Sequence, residues 1–213
     1  MHVGIPRERK VAETRVGMTP EGVDQLVTAG HDVVVEAGAG EHSDIPDTAY
    51  REAGAVIVDR DDAWDSDLVV KVKEPLESEY EYLDGQIVFT YFHLAASEDL
   101  TRELVDSSVT AIAYETVERD DGTLPLLRPM SQVAGRIAPL VGTQYLSRHH
   151  EGRGVLPPGL PGVEPADVVV IGGGTVGANA ARVAAGMGTD VTILEIDQDR
   201  LAALEESTPA NVS

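Results

Sequence analysis

A glycine run between two apolar segments limits the folds open to this chain more than any other feature. Residues 167–171 have the β-branched, apolar character of a buried strand, and Gly172-x-Gly174-x-x-Gly177 follows them directly. Residues 178–187 are rich in alanine and predict a helix, and residues 190–196 predict a second strand. Strand, glycine turn, helix and strand in this order are typical of a βαβ unit with a parallel sheet.

Each glycine of the triad has its own role in such a unit. Gly172 permits a tight turn, Gly174 lets backbone amides approach a pyrophosphate, and Gly177 lets helix and strand pack closely. The start of the helix, at Thr175 and Val176, supplies free N–H groups at the positive end of the helix dipole. The pattern predicts a dinucleotide site at these five residues. A glycine-rich turn without a ligand is the alternative.

An acidic residue follows the second strand at a distance suited to ribose recognition. Glu195 lies 18 residues after Gly177, close to the usual spacing of about 20. A carboxylate there accepts hydrogen bonds from ribose hydroxyls and repels a 2′-phosphate, so we expect NAD rather than NADP. Asp197 is a rival for this role, although it lies beyond the predicted end of the strand.

Short apolar runs alternate with helical stretches through the rest of the chain as well. We therefore predict an α/β protein with two Rossmann-like parallel-sheet domains. The second is incomplete, because it has two of the six or so strands of a full dinucleotide domain, and a truncated chain is the favoured explanation. The expected division is a substrate domain over 1–130, an interdomain helix over 131–150 that Pro139 kinks or breaks, and the first part of the NAD-binding domain over 151–213.

Candidate substrate ligands follow the strands of the first domain. Ligands of parallel sheets gather at the carboxyl ends of the strands, and this rule selects residues 7–15, Lys73, His93 and Glu115. By residue type each also has an ordinary interpretation. Arg15 suits a surface arginine, Lys73 a solvated strand end, and His93 a structural histidine.

Composition excludes several classes of function. Asp and Glu number 37 against 16 Lys and Arg, a net charge of −21, which repels nucleic-acid phosphates and anionic membranes. Cysteine is absent, so there is no thiol nucleophile, disulfide or cysteine metal site. No metal site is expected. The sequence has neither a signal peptide nor an apolar run of about 18 residues, so we expect a cytoplasmic protein without a membrane segment.

Several stretches besides the glycine loop have a distinctive sequence and occur in order over nearly the whole chain. They include Val3-Gly4-Ile5-Pro6-Arg7-Glu8, Lys71-Val72-Lys73-Glu74-Pro75, Phe92-His93-Leu94-Ala95-Ala96, Tyr114-Glu115-Thr116 and Pro129-Met130-Ser131. Together they resemble the alanine dehydrogenases, a family related to the nucleotide-binding α subunit of proton-translocating NAD(P) transhydrogenase. The family's chain continues beyond residue 213.

The resemblance implies reversible oxidative deamination of L-alanine with NAD, which gives pyruvate, ammonium and NADH. It implies that Arg15 and Lys73 hold the substrate, that Lys73 also polarises its reacting carbon, and that His93 is the catalytic acid and base. Glu13 and Tyr91 line the same pocket in this interpretation. The family forms homo-oligomers, often hexamers, so the same is expected here.

The resemblance also implies that Ser131 contacts the cofactor, although its residue type equally suits a helix N-cap. Two other functions stay open. One is the transhydrogenase α subunit, which passes hydride between nucleotides and differs from this chain at 71–75 and 92–96. The other is an inactive fragment that binds a nucleotide without turning it over.

The charge balance predicts a halophilic protein. The alternative is an acidic protein that works at ordinary salt concentrations. Three of the 16 cations are lysines, and in 1 M salt a Debye length of about 3 Å screens the repulsion among the acids. We expect the melting temperature, followed by circular dichroism, to be higher in molar KCl than in dilute buffer. Equal melting temperatures in the two solutions would contradict a halophilic origin.

Overall fold

A computed structural model describes residues 1–213 as two units, Met1–Asp121 and Gly122–Ser213. The first unit is built on six parallel strands. These are β1 His2–Ile5, β2 Asp32–Glu36, β3 Val56–Val58, β4 Leu68–Lys73, β5 Ile87–Tyr91 and β6 Thr110–Ala113. Their order in the sheet is β3-β2-β1-β4-β5-β6. This is a doubly wound order that reverses between β1 and β4, the point where such sheets open a ligand crevice.

Four α-helices cover this sheet, α1 Pro20–Thr28, α2 Asp47–Glu52, α3 Arg60–Trp64 and α4 Glu98–Asp106. Local sequence explains their starts. Proline occupies the first turn of α1, where its missing N–H costs nothing, and the Ser97 hydroxyl accepts the Leu100 N–H at the start of α4. The Asp59 carboxylate accepts the Asp62 N–H and caps α3.

Two apolar clusters lie on opposite faces of the first sheet. Val70 belongs to the cluster that contains Val3, Ile5 and Tyr50. The neighbouring Val69 belongs to the cluster of Trp64, Val88, Phe92 and Leu100. Because successive residues of a strand point to opposite faces, this change of cluster along β4 shows that both faces are buried, as expected for a parallel sheet.

One lysine lies inside the second of these clusters. The Lys71 side chain has no solvent exposure, and its Nζ lies 3.1 Å from Glu79 Oε1 and 3.5 Å from Glu8 Oε2. The ammonium also lies 5.6 Å from the centre of the Trp64 ring. Buried charges are tolerated when they are paired and hydrogen-bonded, and the three side chains meet this condition together.

The second unit contains a long helix and one βαβα segment. Its elements are α5 Leu127–Leu146, β7 Asp167–Ile171, α6 Thr175–Gly186, β8 Asp190–Leu194 and α7 Gln198–Ser207. β7 and β8 pair in parallel from Asp167↔Asp190 to Ile171↔Leu194. Alanines of α6 pack on β8 and α7 in a small apolar cluster. Two Rossmann-like parallel sheets are therefore present, and the second has two strands where a full dinucleotide domain has about six.

The long helix differs from the sequence prediction. It begins at Leu127 instead of residue 131, because Pro129 falls in its first turn, where a proline is accepted. Ser131 consequently lies inside α5 and is no N-cap. The helix also continues through Pro139, so the predicted break there is wrong. The roles assigned to the segments 1–130, 131–150 and 151–213 stay predictions.

No helix of the structure has both the length and the apolar character required to cross a membrane.

Candidate functional site

The loop that follows β1 brings charged side chains to the carboxyl ends of the central strands. A Cβ at Gly17 would lie 2.5 Å from the Val70 carbonyl oxygen and 3.2 Å from the Lys71 Cα. Only glycine permits so close an approach to the backbone of β4. The loop over residues 6–19 therefore passes against the middle of β4, and the Lys73 charge acts on Glu13, the partner of Arg15 in this loop.

Glu8 ties this loop to the end of β4. Its Oε1 accepts the Val72 N–H at 2.6 Å and the Lys73 N–H at 3.3 Å, while Oε2 faces the Lys71 ammonium. Burial raises the pKa of Glu8, whereas the Lys71 charge and the two N–H groups act in the opposite direction. Glu8 thus fixes the backbone from which the Lys73 side chain extends.

Arg15 is oriented by a carboxylate two residues earlier in the chain. Its Nε and Nη2 donate to the two oxygens of Glu13 at 2.8 and 2.6 Å, and its backbone N–H donates to Glu13 Oε1 at 3.0 Å. The hydrogen bonds from the Arg15 side chain, opposed by partial burial, lower the pKa of Glu13 to about 2. The positive charge of Lys73 acts in the same direction. This two-pronged pairing holds the guanidinium in one plane.

Tyr91 lies next to residues that the sequence predicts to form the substrate site, Arg15, Lys73 and His93. Lys73 is the neighbour of Tyr91 in the β4–β5 ladder, and the rings of Tyr91 and His93 are stacked, with centroids 6.1 Å apart and planes 17° apart. Burial raises the pKa of Tyr91, and the Arg15 charge opposes that shift. The Tyr114 ring meets Tyr91 edge-on at 4.9 Å. His93 therefore contacts the Tyr91 ring, Lys73 is its ladder partner, and Arg15 lies close enough for its charge to act on the same tyrosine.

His93 follows β5 in an uncommon backbone conformation. Its φ and ψ are +51° and +41°, in the left-handed region that few residues other than glycine adopt. Glu115 Oε1 accepts both the Phe92 N–H at 3.1 Å and the His93 N–H at 2.8 Å. The imidazole is exposed, so it is available to a ligand at the edge of the sheet.

The glycine loop of the second unit has the geometry of a phosphate cradle. Gly172 has a φ of +93°, and a Cβ on Gly177 would lie 1.8 Å from the Gly172 carbonyl oxygen. α6 starts immediately afterwards, with Thr175 and Val176 as its first two residues. A cavity of about 590 Å³ lies beside the loop, and its lining includes Gly173, Gly174, Thr175, Ser131, Arg128 and Arg200.

Glu195 lies at the predicted place, but its carboxylate is turned towards the glycine loop. Oε2 accepts the Gly173 N–H at 2.7 Å, and Oε1 accepts the N–H groups of Ile196 and Asp197 at 2.8 and 3.1 Å. The backbone N–H groups of Asp197 and Gly173 lower the pKa of Glu195, which favours its ionised form. The rival acid, Asp197, caps α7 by accepting the N–H groups of Asp199 and Arg200.

Sequence reasoning missed two arginines at the cavity. Arg200 Nη1 lies 3.6 Å from Glu195 Oε2, and both Arg200 and Arg128 line the cavity beside the glycine loop. The signal for Arg200 was present in the sequence, as a cation in the first turn of the helix that follows Glu195. Arg128 gave no such signal, because its position depends on where α5 begins.

Strand order and glycine loop together define a chain of two Rossmann-like parallel-sheet units, one of them with a dinucleotide-type turn. The family described as "Alanine dehydrogenase/PNT, N-terminal domain" matches residues 4–134, and "Alanine dehydrogenase/PNT, C-terminal domain" matches residues 138–213. The chain belongs to the alanine dehydrogenase/PNT family.

Similar proteins are found among curated sequences and solved structures. Alanine dehydrogenase from Mycobacterium tuberculosis (strain CDC 1551 / Oshkosh) is 57% identical over 208 residues, which cover 96% of this chain and 56% of the relative. A solved L-alanine dehydrogenase superposes with a TM-score of 0.90 at 47% identity, over 100% of this chain and 60% of that one. A transhydrogenase from Sinorhizobium meliloti gives 0.75 at 28% identity, over 96% and 60%. The chain thus spans about half the length of the curated relatives it matches.

The Arg15–Glu13 pair predicts a specific titration. Glu13 has a lowered pKa in the folded protein, so the pairing contributes stability above the ordinary pKa of 4.5 and loses it as pH falls through about 2. We expect carboxyl ¹³C NMR to give Glu13 a pKa near 2, and Arg15→Met to raise it towards 4.5. An unchanged Glu13 pKa in Arg15→Met would show that this pairing is absent in solution.

Proposed function

We propose that the polypeptide containing this chain is an NAD-dependent alanine dehydrogenase, which converts L-alanine reversibly into pyruvate, ammonium and NADH. One observation carries this proposal. Near the carboxyl ends of β4 and β5, His93 contacts the Tyr91 ring, Lys73 pairs with Tyr91 in the ladder, and the Arg15 charge acts on Tyr91, in a chain of the alanine dehydrogenase/PNT family. A guanidinium, an ammonium and an imidazole are the groups that a small amino acid and its oxo acid need.

The two cations suit the two ends of the reacting substrate. Arginine binds a carboxylate through parallel hydrogen bonds, and its planar guanidinium also fixes the direction of the ligand. Glu13 holds this guanidinium in place, so less conformational freedom is lost when the substrate binds. Lys73 adds a second positive charge, which stabilises negative charge that develops on the carbonyl oxygen or on the carboxylate.

His93 suits the proton transfers of this reaction. Imidazole gains and loses a proton near neutral pH, and the conversion of imine to oxo acid needs proton transfer as water adds and ammonia leaves. The stacking of His93 on Tyr91 limits the orientations of the imidazole. We therefore assign His93 the role of acid and base, and Lys73 that of a catalytic cation.

The glycine loop fits NAD. No heavy atom lies within 4 Å of the place of a Cβ on Gly172, and at Gly174 only Arg200 Nη1 comes that close, at 3.8 Å. This open space would let the pyrophosphate approach the backbone, where the Gly174 amide and the first turn of α6 would hold it, and Glu195 and Ser131 would contact the adenosine side. When bound, NAD supplies the acceptor for the hydride that leaves the substrate carbon.

Activity in the complete encoded polypeptide tests the assignment. In molar salt we expect NADH to form only when both L-alanine and NAD are present. His93→Ala should lower kcat by about 10²-fold or more, because a general acid and base typically contributes 10²–10⁴-fold, and Lys73→Ala should cause a comparable loss. His31→Ala, directly before the amino end of β2, and Arg51→Ala, on α2, are matched controls in the same unit. Full activity in His93→Ala or Lys73→Ala would refute the assigned roles.

Cofactor preference gives an independent test. The ionised Glu195 should repel a 2′-phosphate, so we expect NADH to bind more tightly than NADPH in a fluorescence titration. Glu195→Ser should reduce the difference in affinity between NADH and NADPH, because Arg200 then faces the ribose without its counter-charge. Tighter binding of NADPH by the unmodified protein would remove the role given to Glu195.

The transhydrogenase α subunit is the second candidate, supported by the TM-score of 0.75 to a transhydrogenase. Hydride transfer between nucleotides without any need for alanine would favour it. A nucleotide-binding fragment without turnover is the third candidate, and the same assay on the purified 213-residue chain identifies it. A homo-oligomer, possibly a hexamer, a cytoplasmic location and a halophilic origin stay predictions.

A further inference from the structure

His93, the proposed acid and base, lies in a strained turn. Four residues other than glycine have positive φ in this chain, Ala12, Asp44, His93 and Glu151. Of these, His93 directly follows a sheet strand and the buried Phe92. A side chain in the left-handed region persists where surrounding contacts outweigh the conformational cost. The contacts at this turn therefore indicate what holds His93 in place.

Glu115 supplies those contacts. The ladder between β5 and β6 ends at Thr90↔Ala113, so the backbone amides of Phe92 and His93 lie beyond its last pair. Glu115 follows β6 in a short 3₁₀ turn and accepts both amides on the same oxygen, at 3.1 and 2.8 Å. The Glu115 side chain thus supplies the acceptor that the ladder no longer provides for these two amides.

The second oxygen of Glu115 points to a role beyond simple pairing. Oε2 is buried and has no hydrogen-bond partner, whereas buried carboxylate oxygens are usually satisfied. Desolvation of this oxygen costs free energy that a glutamine or an apolar residue would reduce. A buried carboxylate oxygen without a partner lowers stability, and groups that lower stability in this way are typical of functional sites.

We propose that Glu115 is the positioning residue for His93. Its carboxylate fixes the Phe92–His93 backbone in the left-handed turn, and this turn places the imidazole against the ring of Tyr91, at 6.1 Å between centroids. Glu115 itself donates no proton to the substrate. The proposal rests on the function proposed above, in which His93 is the acid and base.

The consequence of removing Glu115 follows from the geometry. Without the carboxylate the two amides lose their acceptor, and the backbone of His93 can relax towards ordinary φ values. The imidazole would then leave Tyr91, although the sheet and both apolar clusters stay intact because Glu115 belongs to neither. Misplacement of a catalytic group by about 1 Å is enough to lower kcat about 10²-fold.

Three substitutions in the complete encoded polypeptide separate positioning from general stability. Glu115→Ala removes the acceptor, and Glu115→Asp keeps the charge but shortens its reach. Glu115→Gln keeps an acceptor oxygen at the same reach. Glu118→Ala, an exposed acid three positions later, is the matched control. Circular dichroism reports folding, steady-state kinetics report kcat and KM, and ¹³C-histidine NMR reports the ring signals of His93, whose shifts depend on the Tyr91 ring.

We expect the His93 ring signals to move in Glu115→Ala and Glu115→Asp and to keep their positions in Glu115→Gln and Glu118→Ala. In parallel, kcat should fall about 10²-fold in the Ala and Asp variants with little change in KM, and Glu115→Gln should recover most of it. The Asp and Gln variants keep the test decisive if Glu115→Ala fails to fold.

Two results would overturn the proposal. One is a Glu115→Ala or Glu115→Asp variant with unchanged His93 signals. The other is a variant with a lower melting temperature but normal kcat, which would make Glu115 a stabilising residue only. Failure of the proposed function can be told apart from failure of this proposal. If the proposed function is wrong, His93→Ala keeps its activity, and the His93 NMR signals of the Glu115 variants still report whether Glu115 positions the imidazole.

Discussion

Backbone amides at the carboxyl ends of parallel strands need acceptors once the ladder stops, and in the first unit glutamates supply them. Glu36, at the end of β2, accepts the Arg7 N–H at 2.8 Å, Glu8 accepts the Val72 N–H at the end of β4, and Glu115 accepts the His93 N–H. Each glutamate links the end of one strand to a neighbour. Because buried amides are costly to leave unpaired, these links fix the edge of the sheet on which Lys73 and His93 lie.

The same edge is connected to the interior through Lys71. Its ammonium lies between two carboxylates, Glu8 and Glu79, in a place without solvent exposure. Removal of one member of such a cluster leaves the others buried and uncompensated, which is far more costly than replacement of the whole cluster. Glu8 pairs with Lys71 in this cluster and also accepts the backbone N–H of Lys73. The packing of the interior and the position of Lys73 therefore depend on one side chain.

Much of the fold was predictable from local sequence, and much of the site was not. The apolar, β-branched run over 167–171 predicted β7, and the spacing from Gly177 located Glu195 at the end of β8, since both signals lie within a few tens of residues. The contact of Glu8 with Val72 spans 64 positions, and no local pattern reveals it. The orientation of the Glu195 carboxylate and the left-handed turn at His93 depend on neighbouring strands. Helix α5 begins earlier than predicted because Pro129 is accepted inside its first turn, so the helix starts two residues before this proline and not after it.

The first turn of the first unit differs from the glycine loop of the second in a way that limits what can bind there. After β1 the chain continues with a buried proline, a half-buried arginine and the buried Glu8, where the second unit has three consecutive glycines. The Arg7 amide donates to Glu36 as the Gly173 amide donates to Glu195, so the absence of glycine, and not an occupied amide, distinguishes the two turns. Glycine lets the backbone approach a diphosphate closely, and the doubly wound order therefore recurs in the first unit without a turn suited to a long anionic chain.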